Sequence, residues 1–347
     1  MTALISRDFL QTTDTTINVD VSLPDGQIPE LPPFIPAAGV HALEGIDEGA
    51  MEHFREAGLL TPSGEIDWDA YAKVPCMKPP YGSGGDGETV GNNTWREIFD
   101  TNTLPYRWCA YLLATYANPA TGKDESYRGS ASMIGPHQVI TCAHTISGIL
   151  EGQTKMQWAK KVTVAFAQKT QNGKVVQPYG ARQTTTAWVT VPWFHGGRHV
   201  PSEDWGLLEF NLKDLAFGLS IGYFGLRLTG ADLVGKTVAL TGYPSFALDK
   251  KDLLGQWTAE GLIDAFTNGN NSYSRPDYEY QHLIPSAKGD SGGPLHYGTY
   301  AARGVSVENA YVFAVHSGGH ATLYLSCPIN STCHSLVDTR RKLSQNK

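Results

Sequence analysis

Gly289-Asp290-Ser291-Gly292-Gly293-Pro294 sets a hydroxyl nucleophile among glycines. Glycine lets the main chain come close to a reacting carbonyl, so backbone N–H groups here can meet a developing oxyanion. A serine hydroxyl is a weak nucleophile at neutral pH. It carries acyl-transfer chemistry only beside a base that is itself oriented by an acid. The order of those partners along the chain decides which fold can hold them.

The string also satisfies the G-x-S-x-G pattern of lipases and other α/β-hydrolases, in which an acid and then a histidine follow the serine. Here Asp338 comes after His296, His316, His320 and His334, and only Glu308 precedes three of those histidines. The lipase reading is therefore the weak alternative. Upstream, Ile140-Thr141-Cys142-Ala143-His144-Thr145 ends a short apolar run with a histidine, as expected where a strand delivers a base to a cleft. Between the two words lies Ser202-Glu203-Asp204-Trp205-Gly206-Leu207-Leu208, an acid at the mouth of an apolar strand. Asp204 is suited to burial and to accepting the imidazole Nδ1–H.

The order His144, Asp204, Ser291 and the flanking words Thr-x-Ala-His and Asp-x-x-Leu-Leu resemble the chymotrypsin-like serine endopeptidases. The resemblance implies His144 as general base, Asp204 as its orienter and Ser291 as nucleophile. It also implies an oxyanion hole from the N–H groups of Gly289 and Ser291, each donor worth about 3 kcal/mol. The fold it implies is all-β, two antiparallel barrels with the active site between them. Many short apolar runs separated by Gly, Pro and Asn agree with that architecture, from Trp108–Tyr116 to Tyr311–Val315. The barrels are expected over 89–215 and 216–347, the second ending in a polar tail.

Further words resemble the glutamyl-endopeptidase branch of that family. They are Pro105-Tyr106-Arg107, Gly222-Tyr223-Phe224-Gly225-Leu226, Gly242-Tyr243-Pro244, Trp257-Thr258-Ala259-Glu260-Gly261 and Ala314-Val315-His316-Ser317-Gly318-Gly319. Pro285 stands where a trypsin-like enzyme would need an aspartate, which disfavours Lys/Arg specificity. The resemblance implies a pocket built on Ser286, His316, Ser317 and Gly319 that takes a glutamate side chain before the cut bond, with Lys288 at the rim. The aspartate and second glycine of Gly289-Asp290-Ser291-Gly292-Gly293 depart from many members of the branch.

Charge divides unevenly along the chain. Residues 1–88 hold 15 acidic and 4 basic side chains, net −11, against +4 for the remainder and −7 overall. That acidic segment, with one helix expected around Asp47–Ala57, reads as a prosegment ending in the Gly-rich linker Gly82-Ser83-Gly84-Gly85-Asp86-Gly87. The linker formally contains G-x-G-x-x-G but follows Pro79-Pro80 and not a strand, so nucleotide binding is not expected. Glu88 followed by Thr89-Val90-Gly91 resembles the mature start of glutamyl endopeptidases, which implies self-cleavage between Glu88 and Thr89.

The chain is 41% hydrophobic and 18% charged, an ordinary globular balance. No apolar run reaches the roughly 18 residues of a membrane span, and Met1–Glu30 lacks the apolar region of a secretory signal. Secretion is expected only from the resemblance. Of the five cysteines, Cys327 and Cys333 could close a short loop, while Cys142 reads as a small buried filler. The i,i+4 histidine pairs His195/His199 and His316/His320 are interrupted by Gly-Gly, so neither a metal nor another cofactor is expected. The expected partners are protein or peptide substrates of a monomer, without nucleic acid or membrane. The competing readings are a catalytically silent binding protein on the same fold and a serine protease of other specificity.

Overall fold

The structure is a computed structural model that describes residues 5–11, 16–19, 31–36, 46–77, 94–150, 152–172, 174–190, 193–194, 201–211, 214–228, 230–245, 254–268, 278–297, 307–319 and 324–345. Glu88 and Thr89, the Gly-rich linker, His195, His199 and His320 lie outside them.

Among the described residues, two large, mainly antiparallel sheets carry the fold. The second closes on itself: Thr237–Gly242, Trp257–Asn268, Tyr278–His282, Tyr324–Pro328, Tyr311–Gly319 and Pro294–Tyr297 pair in a ring of six strands. Its interior is apolar, filled by Val238, Leu240, Ile263, Tyr280, Leu295 and Phe313. The first sheet curls without closing among the described residues, running from Ala181–Gln183 through Lys161–Phe166, Cys109–Asn118, Lys123–Gly135, Gln138–Thr141 and Gly206–Glu209 to Thr186–Thr190. The architecture is therefore the expected all-β one, with a closed barrel beside a curled half-barrel. Helix Leu215–Ile221 lies between the last strand of the first sheet and the first strands of the second.

The acidic segment is built into the first sheet. Helix Glu48–Glu56 starts at Asp47, whose Oδ1 accepts the Ala50 N–H at 2.6 Å and whose Oδ2 accepts the Gln183 N–H at 3.0 Å. One carboxylate thus caps the helix and ties it to a strand end. Ala50, Phe54, Leu59, Tyr71 and Val74 form a core with Tyr111, Leu113 and Ala165 of the barrel, and Tyr71 stacks on Tyr111 at 4.8 Å. His53 is buried between the hydroxyls of Thr115 and Thr163, both at 2.7 Å. Burial, helped by the Lys161 charge, lowers its pKa to about 4, so it sits there neutral. Strand Ile5–Gln11 also pairs with Thr186–Thr190.

Two local expectations change. The polar tail is helix Ser331–Gln345, whose Leu336 and Val337 are buried and whose Arg340 makes a bidentate pair with Glu209 at 2.9 and 2.7 Å. Cys327 and Cys333 are free thiols, as are the other three cysteines. The Cys327 sulfur instead donates to the Ser202 carbonyl at 3.1 Å.

Candidate active site

Sheet register brings His144 and Asp204 together. Gly206 pairs with Thr141 in an antiparallel ladder, so the residues just before Gly206 run back alongside those just after Thr141. His144 lies in the one-turn helix Ala143–Ile146, and Asp204 follows the turn Pro201–Glu203. Asp204 Oδ1 accepts the His144 backbone N–H at 2.8 Å, and its Oδ2 lies 2.7 Å from His144 Nδ1. Both residues are fully buried. Burial disfavours the charged imidazole, but the Asp204 carboxylate and the neighbouring Cys142 together outweigh it and raise the His144 pKa above the ordinary histidine value.

Ser291 enters from the second barrel, held at the seam by Ser130 of the first. Ser130 donates its N–H to the Ser291 carbonyl and its hydroxyl to the Gly289 carbonyl, each at 2.7 Å, while Thr141 Oγ1 donates to the Ser130 carbonyl at 2.8 Å. Gly292 has φ +88°, and a Cβ there would lie 2.1 Å from the Ser130 carbonyl oxygen. Only glycine fits so close a backbone approach. Among the described residues, the N–H groups of Gly289 and Ser291 donate to no protein acceptor. Two free donors on one loop can together receive an oxyanion. Ser291 is at the rim of burial and its hydroxyl makes no hydrogen bond among the described residues. Catalytic hydrogen bonds commonly tighten only when substrate binds.

Asp290 is buried behind the loop. Its Oδ2 accepts the Ala287 N–H at 2.9 Å, and burial pushes its carboxyl well above the usual range despite the nearby Arg128.

His316 faces the same loop from the neighbouring strand. Gly292 donates its N–H to the His316 carbonyl and His316 donates to the Gly293 carbonyl, both at 2.9 Å. Its ring lies 5.7 Å from that of His282 and 6.2 Å from Tyr324. Burial, with the charges of His282 and His144 added, holds His316 well below the ordinary histidine value. Its Nδ1 is buried with no hydrogen-bond partner among the described residues. Ser286 is buried and its hydroxyl makes no hydrogen bond among those residues. Ser317 is fully buried with its hydroxyl turned to the Val315 carbonyl at 3.5 Å, and Gly319 is half-buried.

The sequence reading missed Ser130, which carries the loop, and His282, which packs on His316 and lies 2.9 Å through Nε2 from Ser326 Oγ. Neither belongs to a recognisable word. Only their pairing across strands reveals them.

No protein-family profile matches the chain. The chain is 27% identical over 206 residues to a glutamyl endopeptidase of Bacillus licheniformis, covering 59% of this chain and 54% of that protein. It therefore spans about half the length of that relative. Among solved structures, a Glu endopeptidase in complex with MPD superposes with a TM-score of 0.55 at 16% identity, covering 74% of this chain and 100% of the other. The protease Anisep from Arthrobacter nicotinovorans gives a TM-score of 0.47 at 18% identity over 68% of this chain and 96% of its own. With a closed barrel, a curled half-barrel and a serine loop at their seam, the chain has the chymotrypsin-like fold and resembles the glutamyl-endopeptidase branch of the serine endopeptidases.

Proposed function

We propose that the chain is a secreted serine endopeptidase that cuts peptide bonds after glutamate. The observation that carries the reading is the doubly held, fully buried His144–Asp204 pair beside a serine loop with two free backbone donors. In this reading Ser291 Oγ attacks the scissile carbonyl carbon while His144 Nε2 takes its proton. Asp204 holds the imidazole and stabilises its cation. The N–H groups of Gly289 and Ser291 receive the oxyanion, the C–N bond breaks as His144 returns the proton to the leaving amine, and water then hydrolyses the acyl-enzyme.

Glutamate preference rests on His316. A neutral, buried imidazole with an unpartnered nitrogen donates or gains a proton when a carboxylate arrives, which converts an unsatisfied polar atom into a charge-assisted hydrogen bond. Ser286 supplies a second donor. An uncharged side chain would leave both groups unsatisfied, which is how a polar pocket rejects it.

Processing between Glu88 and Thr89 remains part of the proposal and falls outside the described residues. Because 46–77 contributes to the barrel core, this part of the acidic segment acts as a structural element of the mature enzyme.

A fluorophosphonate probe followed by peptide mapping tests the nucleophile. The reading expects a single adduct on Ser291 in the wild type and none in Ser291→Ala; an unlabelled, folded wild type supports the silent binding protein instead.

A further inference from the structure

The one thiol in contact with the proposed catalytic base has no role in the reaction above. Cys142 precedes the turn that carries His144, and its Sγ lies 3.6 Å from His144 Nε2. Both side chains are fully buried. Cys142, His144 and Asp204 can each offer a ligand atom within 4.8 Å of the others. With zinc–sulfur and zinc–imidazole bonds of about 2.3 and 2.05 Å, a tetrahedral ion spans roughly 3.5–3.6 Å between its sulfur and nitrogen ligands. The observed separation is that span.

The surroundings also match what such an ion requires. A histidine that binds metal through one ring nitrogen is normally held through the other by a carboxylate, which fixes the ring and strengthens the ligand. Asp204 occupies that position on Nδ1 at 2.7 Å. Water can complete the remaining coordination positions, as it does in open zinc sites. A thiolate and an imidazole select zinc, cobalt or cadmium over magnesium and calcium.

We propose that Cys142 and His144 form an inhibitory site for a thiophilic divalent cation of the zinc class. On binding, the Cys142 S–H bond gives its proton to solvent, the thiolate and the His144 Nε2 lone pair bond to the ion, and nothing is oxidised or reduced. With its lone pair taken, Nε2 cannot accept the Ser291 proton, and acyl transfer stops. The inhibitory consequence rests on the endopeptidase reading; the site itself does not.

Zinc is therefore added to the full-length protein, with each variant's rate referred to its own rate in EDTA, and cobalt is added to Ser291→Ala protein. Zinc should inhibit wild type reversibly, magnesium and calcium should not, and Cys142→Ala and Cys142→Ser should both be less sensitive by about tenfold or more. Cobalt should give a thiolate-to-metal charge-transfer band in Ser291→Ala that is lost when Cys142→Ser is added and kept when Cys76→Ser is added. The cobalt band needs no catalysis, so it separates failure of the site from failure of the protease reading. Undiminished zinc sensitivity in both Cys142 variants, or no Cys142-dependent band, would overturn the proposal.

Discussion

Asp204 grips His144 at two points, accepting the backbone N–H with Oδ1 and facing Nδ1 with Oδ2, so one buried carboxylate sets both the position of the turn and the orientation of the ring. Asp204→Asn keeps the size of the side chain while presenting an amide to Nδ1, which favours the wrong tautomer. In the proposed triad this should lower kcat by about 10⁴ with little change in KM. Steady-state kinetics on a chromogenic peptide check it; a loss below tenfold would remove Asp204 from the mechanism.

The same carboxylate sets the pH dependence. A general base must be neutral, so activity should rise with pH, and the midpoint of the rise should lie above the ordinary histidine value of about 6.5 because Asp204 favours the imidazolium. Asp204→Asn should move the midpoint down. A raised folded pKa also means that the pair's contribution to stability is fully present below about pH 6.5 and is lost as pH rises through the folded value. A kcat/KM profile with its midpoint at or below 6.5 in the wild type contradicts the coupling.

The C-terminal helix is docked by charge as well as by packing. Burial alone would raise the Glu209 pKa, but His137, 3.7 Å away, and the hydrogen bonds from Arg340 lower it to about 2. Its stabilising contribution is present above the unfolded carboxyl value of about 4.5 and is lost as pH falls through about 2. Arg340→Ala leaves Glu209 buried without its bidentate partner. Removal of one member of a buried pair costs about 3–5 kcal/mol; Arg340 is 26% exposed, so the expected loss is about 2–3 kcal/mol. Urea denaturation at pH 7 measures it, and an unchanged midpoint counts against the role assigned to this pair.

Residues 46–77 should stay with the barrel after the chain is cut between residues 77 and 94. Phe54, Tyr71, Leu59, Val74 and Met77 are all buried, at roughly 2 kcal/mol of apolar stabilisation each, and the Arg128 N–H donates to the Pro75 carbonyl at 2.8 Å. Native gel filtration of cleaved protein should return both fragments in one peak. Fragments that separate without denaturant would show that this packing does not hold them.

The pairing of His144 with Asp204 was legible because chain order constrains it. His144, Asp204 and Ser291 sit in short words whose sequence along the chain distinguishes a two-barrel protease from an α/β-hydrolase, and the strands around them are short apolar runs with turn residues between. The packing of the acidic segment was not legible. Net charge describes solvent-facing side chains, whereas the packing of 46–77 is decided by its few aromatic and aliphatic residues against Tyr111 and Leu113. The C-terminal helix was hidden for a related reason: its polar composition gains a docking site only from Glu209, an acid on a strand of the other sheet. The Cys142–His144 contact was invisible because two residues of separation put side chains together only once the turn at Ala143 is formed.

The central claim is tested most directly by cleavage of peptides identical except for Glu, Asp, Lys or Leu before the scissile bond, using wild type, Ser291→Ala and His316→Ala. The account predicts that wild type cuts the Glu peptide with the highest kcat/KM, that Ser291→Ala cuts none, and that His316→Ala loses about 10²-fold on Glu while keeping its slower rate on Leu. Equal cleavage by wild type and Ser291→Ala, or a wild type that does not favour Glu, would contradict it.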